Sequence, residues 1–208
     1  MKSKYWLLLG LSLLSLGLVP RVGQTIEQRP GNQTVDWRMG SFPVENFQGY
    51  TSPFGYRRSA TGGPNTEFHS GLDFAAPEGS YIRNWWTGRV IEVSDNTACG
   101  TSLRIQSGSW IHVYCHLKGR VEQDSRGQFV ADRAGGIQIW EGQTIPSGAR
   151  IGRVGMTGRT TGPHLHWTLK YAGQLVNPAI VLQAMYASQS QPQLLSRQAQ
   201  GEAKNFHD

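Results

Sequence analysis

Apolar residues are distributed along this chain in two ways. From Tyr5 to Val19 they run almost unbroken, behind Lys2 and Lys4 and ahead of Pro20 and Arg21. Basic residues followed by such a run form the n- and h-regions of an export signal, and the fifteen residues from Tyr5 to Val19 fall short of the roughly 20 that a membrane span needs. Ser15 and Gly17 are small, but no A-x-A-like triplet follows them. The segment 1–23 therefore reads as a signal peptide or an uncleaved anchor. From Ser41 the pattern changes to short runs broken by Gly and Pro: Gly49 to Tyr56, Tyr81 to Trp86, Arg89 to Val93, Thr101 to Gln106, Trp110 to Leu117, Ile137 to Trp140, Arg150 to Gly155 and His164 to Tyr171. Runs of this length between turn formers predict strands. Their number predicts a mainly β domain, an antiparallel sandwich or half-barrel.

The remaining segments fit around that domain. Residues 24–40 are polar and irregular and read as a linker, 41–187 as the folded domain, and 188–208, rich in Gln and Ser, as a disordered tail. Lys118 to Gly136 is polar and carries four glycines, predicting a long surface loop or hairpin. Ala179 to Ala187, after Asn177-Pro178, predicts a short helix.

Composition narrows the function classes. With 208 residues, 26 of them Gly and 10 Pro, the chain is long enough for one core and too turn-rich for a helical bundle. The net charge is +6, but Lys2, Lys4 and Arg21 belong to the first segment; without residues 1–23 there are 17 Lys and Arg against 14 Asp and Glu, or +3. That is too weak and too dispersed for nucleic acid, so no nucleic-acid partner is expected. A mild positive field still favours encounter with a polyanionic matrix. Export places Cys99 and Cys115 in an oxidising compartment, where they either pair or stay as two buried thiols. A hairpin turning at Ser107-Gly108-Ser109 sets Cys115 opposite about Thr101, two residues from Cys99.

Candidate chemistry lies in the histidines. His69-Ser-Gly-Leu-Asp73 contains a glycine and precedes Pro77 and Gly79, which argues for a strand-to-turn segment on which imidazole and carboxylate converge. His164-Leu-His166 opens a strand, where residues i and i+2 share a face about 6.6 Å apart. By the same alternation His116 shares a face with Tyr114 and His112. Two imidazole nitrogens and a carboxylate oxygen make a zinc site of the hydrolytic kind, with one position left for a water whose pKa falls towards about 7.

At these residues the chain resembles the lysostaphin-type, or LytM-domain, zinc metalloendopeptidases that cut peptidoglycan peptides. The resemblance spans about Phe42 to Leu182. It is carried by Ser52-Pro53-Phe54-Gly55-Tyr56-Arg57, His69 to Asp73 with Phe74-Ala75-Ala76-Pro77, Tyr114-Cys115-His116-Leu117, Glu141-Gly142-Gln143, Gly155-Met156-Thr157-Gly158 and Gly162-Pro163-His164-Leu165-His166. It implies a mainly antiparallel β fold of the duplicated-hybrid-motif type with an open groove. It implies Zn2+ held by His69, Asp73 and His166, with His116 and His164 as catalytic histidines. It also implies peptidoglycan peptides as substrate, and an exported protein, periplasmic or in the cell envelope, with membrane anchoring through the N-terminal segment as the alternative to cleavage. Trp167 stands where the family often has Phe, and Lys118 to Gln138 exceeds the usual connection, which puts the groove wall in question.

Other readings are weaker. His112 has no family position and reads as groove lining or surface. Of Trp85 and Trp86, one is expected in the core and one partly exposed. Gly152, Gly155, Gly158 and Gly162 read as turn glycines, since no Gly-Lys-Ser/Thr ending follows. Cys115 and His116, adjacent on a strand, face opposite ways and make a poor nucleophile-base pair. A biotinyl- or lipoyl-type module is suggested only by Trp140 to Gln143 and lacks the modifiable Lys. The rival of a different class is a silent LytM-like regulator that binds and activates a wall amidase; such domains have lost ligand or catalytic residues, and here all five positions are filled.

Overall fold

The computed structural model describes residues 37–59 and 64–190. The apolar N-terminal segment, most of the stretch read as a linker, and 191–208 lie outside the described residues. The strands, in chain order, are β1 (Gly49–Ser52), β2 (Gly55–Arg58), β3 (Thr66–His69), β4 (Leu72–Ala75), β5 (Tyr81–Arg83), β6 (Gly88–Ser94), β7 (Ser102–Ser107), β8 (Trp110–Cys115), β9 (Arg120–Asp124), β10 (Gly127–Asp132), β11 (Ile137–Trp140), β12 (Thr144–Ile145), β13 (Arg150–Arg153), β14 (His164–Tyr171) and β15 (Gln174–Val176). Short 3-10 turns occupy Trp37–Met39 and Arg133–Gly135, and a helix covers 178–190.

The main sheet runs β1-β4-β14-β8-β7-β6-β12, with β15 on β14, and every pairing in it is antiparallel. The mainly β expectation and the C-terminal helix both hold. The run expected from Gly49 to Tyr56 is instead two strands, because Pro53 has no N–H to give to a ladder and the chain turns there. The polar stretch after Lys118 forms the hairpin of β9 and β10, and β11 completes a three-stranded sheet.

One face of the main sheet supplies the core. Along β14, Leu165, Trp167 and Leu169 are fully buried, and opposite them on β8 lie Tyr114 and His112. Trp85 packs edge-on against Trp167, Trp110 and His112. Trp86 is partly buried beside it. Burial of a large apolar side chain contributes about 2 kcal/mol, so this cluster is a main source of stability. Trp37, inside the stretch read as a linker, also stacks on Trp85 and Trp110. Gln189 Nε2 donates to the Gly40 carbonyl at 2.8 Å, tying the helix end to the same corner.

His112 does not line the groove as expected; it is fully buried on the core face. The strand alternation was read correctly, but the face it shares with Tyr114 is the inward one. Its ring bonds Ser107 Oγ and the Tyr114 hydroxyl, each at 2.9 Å. That hydroxyl also accepts the Trp85 N–H at 2.8 Å. Both His112 nitrogens and the Tyr114 hydroxyl are thus satisfied, as burial demands.

Candidate metal centre and groove

The other face of the same sheet is the floor of a groove of about 730 Å3. Alternation on β14 places His164, His166, Thr168 and Lys170 there, and on β8 Val113 and Cys115. β4 pairs with β14 so that Asp73 stands directly beside His166. β3 ends at His69, and the chain reverses through Ser70 and Gly71 into β4, as the strand-to-turn reading required. Gly71 is needed there for space: a Cβ would lie 2.6 Å from the Trp167 carbonyl oxygen and 2.8 Å from the His166 ring.

Three potential ligand atoms meet as a result. His166 Nδ1 is 2.8 Å from Asp73 Oδ1, His69 Nε2 is 2.9 Å from His166 Nδ1, and His69 Nε2 is 3.1 Å from Asp73 Oδ1. Tetrahedral zinc with bonds of about 2.0 Å spaces its ligand atoms roughly 3.3 Å apart, within a few tenths of this triangle. The protonation pattern also suits a cation. His69 Nδ1–H donates to the Pro53 carbonyl at 2.7 Å, so a neutral His69 turns a bare lone pair at Nε2 towards the carboxylate. Two lone-pair donors in contact repel unless a positive charge sits between them. Burial acts to raise the Asp73 pKa, but positive charge at this triangle, from protons on the facing His166 and His69 rings or from a cation in their place, outweighs it and holds the carboxyl well below its usual range.

A surrounding shell fixes these groups. His166 Nε2 lies 3.1 Å from Thr168 Oγ1. Arg57 Nη1 donates to Ser52 Oγ at 2.6 Å and sits 3.9 Å from Asp73 Oδ2, while Nη2 is 3.1 Å from Glu67. Such partners orient ligands and tune their basicity.

His116 and His164 stand next to the triangle. Their ring centroids are 4.8 Å apart, and His164 Nε2 is 3.7 Å from Asp73 Oδ1. His164 Nδ1–H donates to the Gly162 carbonyl at 2.9 Å and His116 Nδ1–H to the Thr157 carbonyl at 2.8 Å, which leaves both Nε2 atoms for the groove. His116 was expected on the strand face of Tyr114, a position that would have buried it in the core. Instead β8 ends at Cys115, and His116 takes a left-handed conformation with φ 62°, which turns its ring outward. Left-handed backbone is uncommon outside glycine and costs free energy that surrounding bonds must offset. Burial holds its pKa down to about 4, leaving a neutral imidazole at pH 7.

Those surrounding bonds come from the loop before β7. Cys99 and Cys115 form a disulfide with Cα atoms 4.9 Å apart. The His116 amide donates to the Cys99 carbonyl at 2.8 Å, and Thr157 Oγ1 accepts the Thr101 N–H and donates to the Leu117 carbonyl, both at 2.9 Å. Gly100 and Gly158 pass with their backbones in contact, and a Cβ on either would overlap the other loop. The long stretch after Lys118 lies elsewhere: none of its residues lines the groove. Asp132 and Arg153 tie it to β13 through a bidentate pair at 2.7 Å.

All five residues singled out in the sequence are therefore brought to one place. Sequence reasoning gave no role to Arg57, Thr157 or Thr168. Thr168 was available from the alternation that paired His164 with His166, and Arg57 and Thr157 lie inside segments that carried the family resemblance.

The chain is similar to several known proteins. Residues 67–178 match the family model described as Peptidase family M23. A DD-carboxypeptidase/endopeptidase, Mpg, of Neisseria meningitidis is 30% identical over 145 residues, covering 68% of this chain and 29% of that protein. The peptidoglycan DD-endopeptidase ShyA of Vibrio cholerae is 31% identical, covering 65% of this chain and 28% of its own length. The chain thus matches less than a third of the length of these relatives. Among solved structures, a zinc-containing peptidase from Vibrio cholerae is 29% identical with a TM-score of 0.53, covering 65% of this chain and 37% of that one. A protein described as a putative peptidase M23 from Pseudomonas aeruginosa is 33% identical with a TM-score of 0.51, covering 69% and 50%.

Proposed function

The chain belongs to peptidase family M23, and on that premise we propose that it is a zinc-dependent endopeptidase that hydrolyses peptide bonds in peptidoglycan stem peptides or cross-bridges. One observation supports this most: His69 Nε2, Asp73 Oδ1 and His166 Nδ1 lie within 3.1 Å of one another, beside two imidazoles held by backbone carbonyls. His69, Asp73 and His166 would hold zinc, which when bound supplies a Lewis acid that polarises a scissile carbonyl and acidifies water.

The chain's own residues supply the rest. His116, neutral because it is buried, accepts the proton of the attacking water at Nε2, and its Nδ1–H stays committed to Thr157. His164, fixed by Gly162 through Nδ1–H, faces the same space, and in its doubly protonated form it donates from Nε2 to the oxygen that gains charge as the carbonyl becomes tetrahedral. Asp73 remains ionised, and Arg57 restrains its second oxygen.

The relatives named as peptidoglycan endopeptidases support placing the protein in the bacterial envelope, exported by its N-terminal segment. No helix among the described residues is long and apolar enough to cross a membrane. The regulator that activates a wall amidase has no observation in its favour, since the ligand triangle and both further histidines are present. The test is zinc content and release of cut muropeptides by the purified protein. His69→Ala and Asp73→Ala should lose metal and activity; His116→Ala and His164→Ala should keep metal and lose about 100-fold or more in rate. A metal-loaded wild type that cuts no muropeptide while stimulating an amidase would overturn the reading.

A further inference from the structure

The groove floor extends beyond the proposed catalytic residues, and its character changes along β14. His164 and His166 belong to the centre, and Thr168 holds His166. Lys170, next on the same face, is left over. The other groove cations have acidic partners: Arg57 with Glu67 at 3.1 Å, Arg159 with Glu67 at 3.9 Å, and Arg104 with Glu92 at 3.3 Å. Lys170 makes no ion pair among the described residues. Register places Arg104 opposite Val113 and Val113 opposite Thr168, so Arg104 lines the groove from two strands away, level with Thr168 and two positions short of Lys170. Arg104 Nε is buried without an acceptor among the described groups. An ammonium with no ion pair among the described residues, and a guanidinium that keeps one unsatisfied donor beside its Glu92 pair, thus line the same groove.

We propose that Lys170, with Arg104 on the same groove floor, forms a subsite that binds a carboxylate of the peptide substrate and sets specificity for acidic over amidated peptides. This rests on the endopeptidase reading above. The scale follows from the strand: at about 3.3 Å per residue, Lys170 lies roughly 13 Å along β14 from His166. The reach of a lysine side chain brings its ammonium to a group two or three residues from the cleaved bond of an extended peptide. A charge-assisted bond made there in the bound state and in the transition state alike strengthens binding without changing the chemical step. The selectivity therefore falls on KM.

The experiment uses the full chain loaded with zinc and two stem-type pentapeptides, identical except that one carboxylate two or three residues from the cleaved bond is a carboxamide in the second. Wild type should favour the acidic peptide about 10-fold or more in kcat/KM, mostly through KM. Lys170→Gln should erase the preference with kcat kept, Arg104→Gln should reduce it, and Lys170→Glu should reverse it. Calorimetric binding of both peptides reports on the subsite even if neither is cut, an outcome that would count against the endopeptidase reading alone. Equal binding of the two peptides to wild type, or an undiminished preference in Lys170→Gln, overturns the proposal.

Discussion

The amide of His116 donates to the carbonyl of Cys99 at 2.8 Å, and Cys99 is joined by a disulfide to Cys115, the residue immediately before His116. The covalent bond and the hydrogen bond clamp His116, the one of the five candidate site residues with left-handed backbone. Replacing both cysteines by serine should lower the melting temperature, since opening a loop of this size, a separation of 16, costs about 3 kcal/mol. It should also lower kcat while zinc content and KM stay near wild type. Calorimetry, metal analysis and steady-state kinetics on one preparation check this; unchanged kcat would mean that Thr157 alone positions the ring.

Acid should weaken the fold through a histidine remote from the groove. Burial pulls His112 from 6.5 down to about 3, so between these values the unfolded chain binds a proton that the folded chain refuses. Stability is therefore full above about pH 6.5 and falls by up to about 1.4 kcal/mol per unit below it. His116, held at about 4, adds to the loss over pH 6.5 to 4. His112→Gln should be less stable at pH 7, through loss of the Ser107 and Tyr114 bonds, yet show a shallower acid slope. Urea unfolding at pH 7 and pH 5 measures both, and equal slopes would remove His112 from the account.

Gly71→Ala should act as a metal-site variant although residue 71 offers no ligand atom. The added methyl meets backbone at Trp167 and must displace the His166 ring. The expected result is a 10- to 100-fold loss of zinc affinity, the range seen when a ligand's support is disturbed. A competition titration with a chelator measures it.

The β9–β11 sheet should affect stability and leave chemistry alone. Asp132 is buried and holds Arg153 through two bonds of 2.7 Å. Asp132→Ala leaves the guanidinium without its partner and should cost about 3 kcal/mol. Because this sheet lies outside the groove, kcat/KM at a temperature where the variant is folded should match wild type. A drop in activity at that temperature would place the sheet in substrate binding.

Much of the fold was legible because strands and turns leave local marks: the hairpin at Gly108-Ser109, the His164 to Tyr171 strand and the polar hairpin after Lys118 all follow from alternation and turn residues. The ligand triangle was legible for the same reason, since a glycine between His69 and Asp73 and a two-residue step from His164 to His166 constrain direction. Alternation has no absolute sign, however. It placed His112 with Tyr114 correctly and could not say that their face was the core. Nor does sequence announce a left-handed residue: His116 reads as the next strand position, and only the bond from its amide to Cys99 explains why the chain leaves β8 there. Thr66 to His69 and Leu72 to Ala75 were read only as a strand-to-turn segment around His69 and Asp73, because the reversal at Ser70 and Gly71 leaves no continuous apolar run on either side.

The backbone contact between Gly100 and Gly158 has a longer reach than its size suggests. Where two loops are kept apart by hydrogen atoms alone, almost any replacement acts as a wedge beneath His116, so this rim of the molecule has little freedom to drift. New substrate preferences in descendants of this chain would have to arise on the opposite bank and along the far floor, where side chains can change without disturbing that contact.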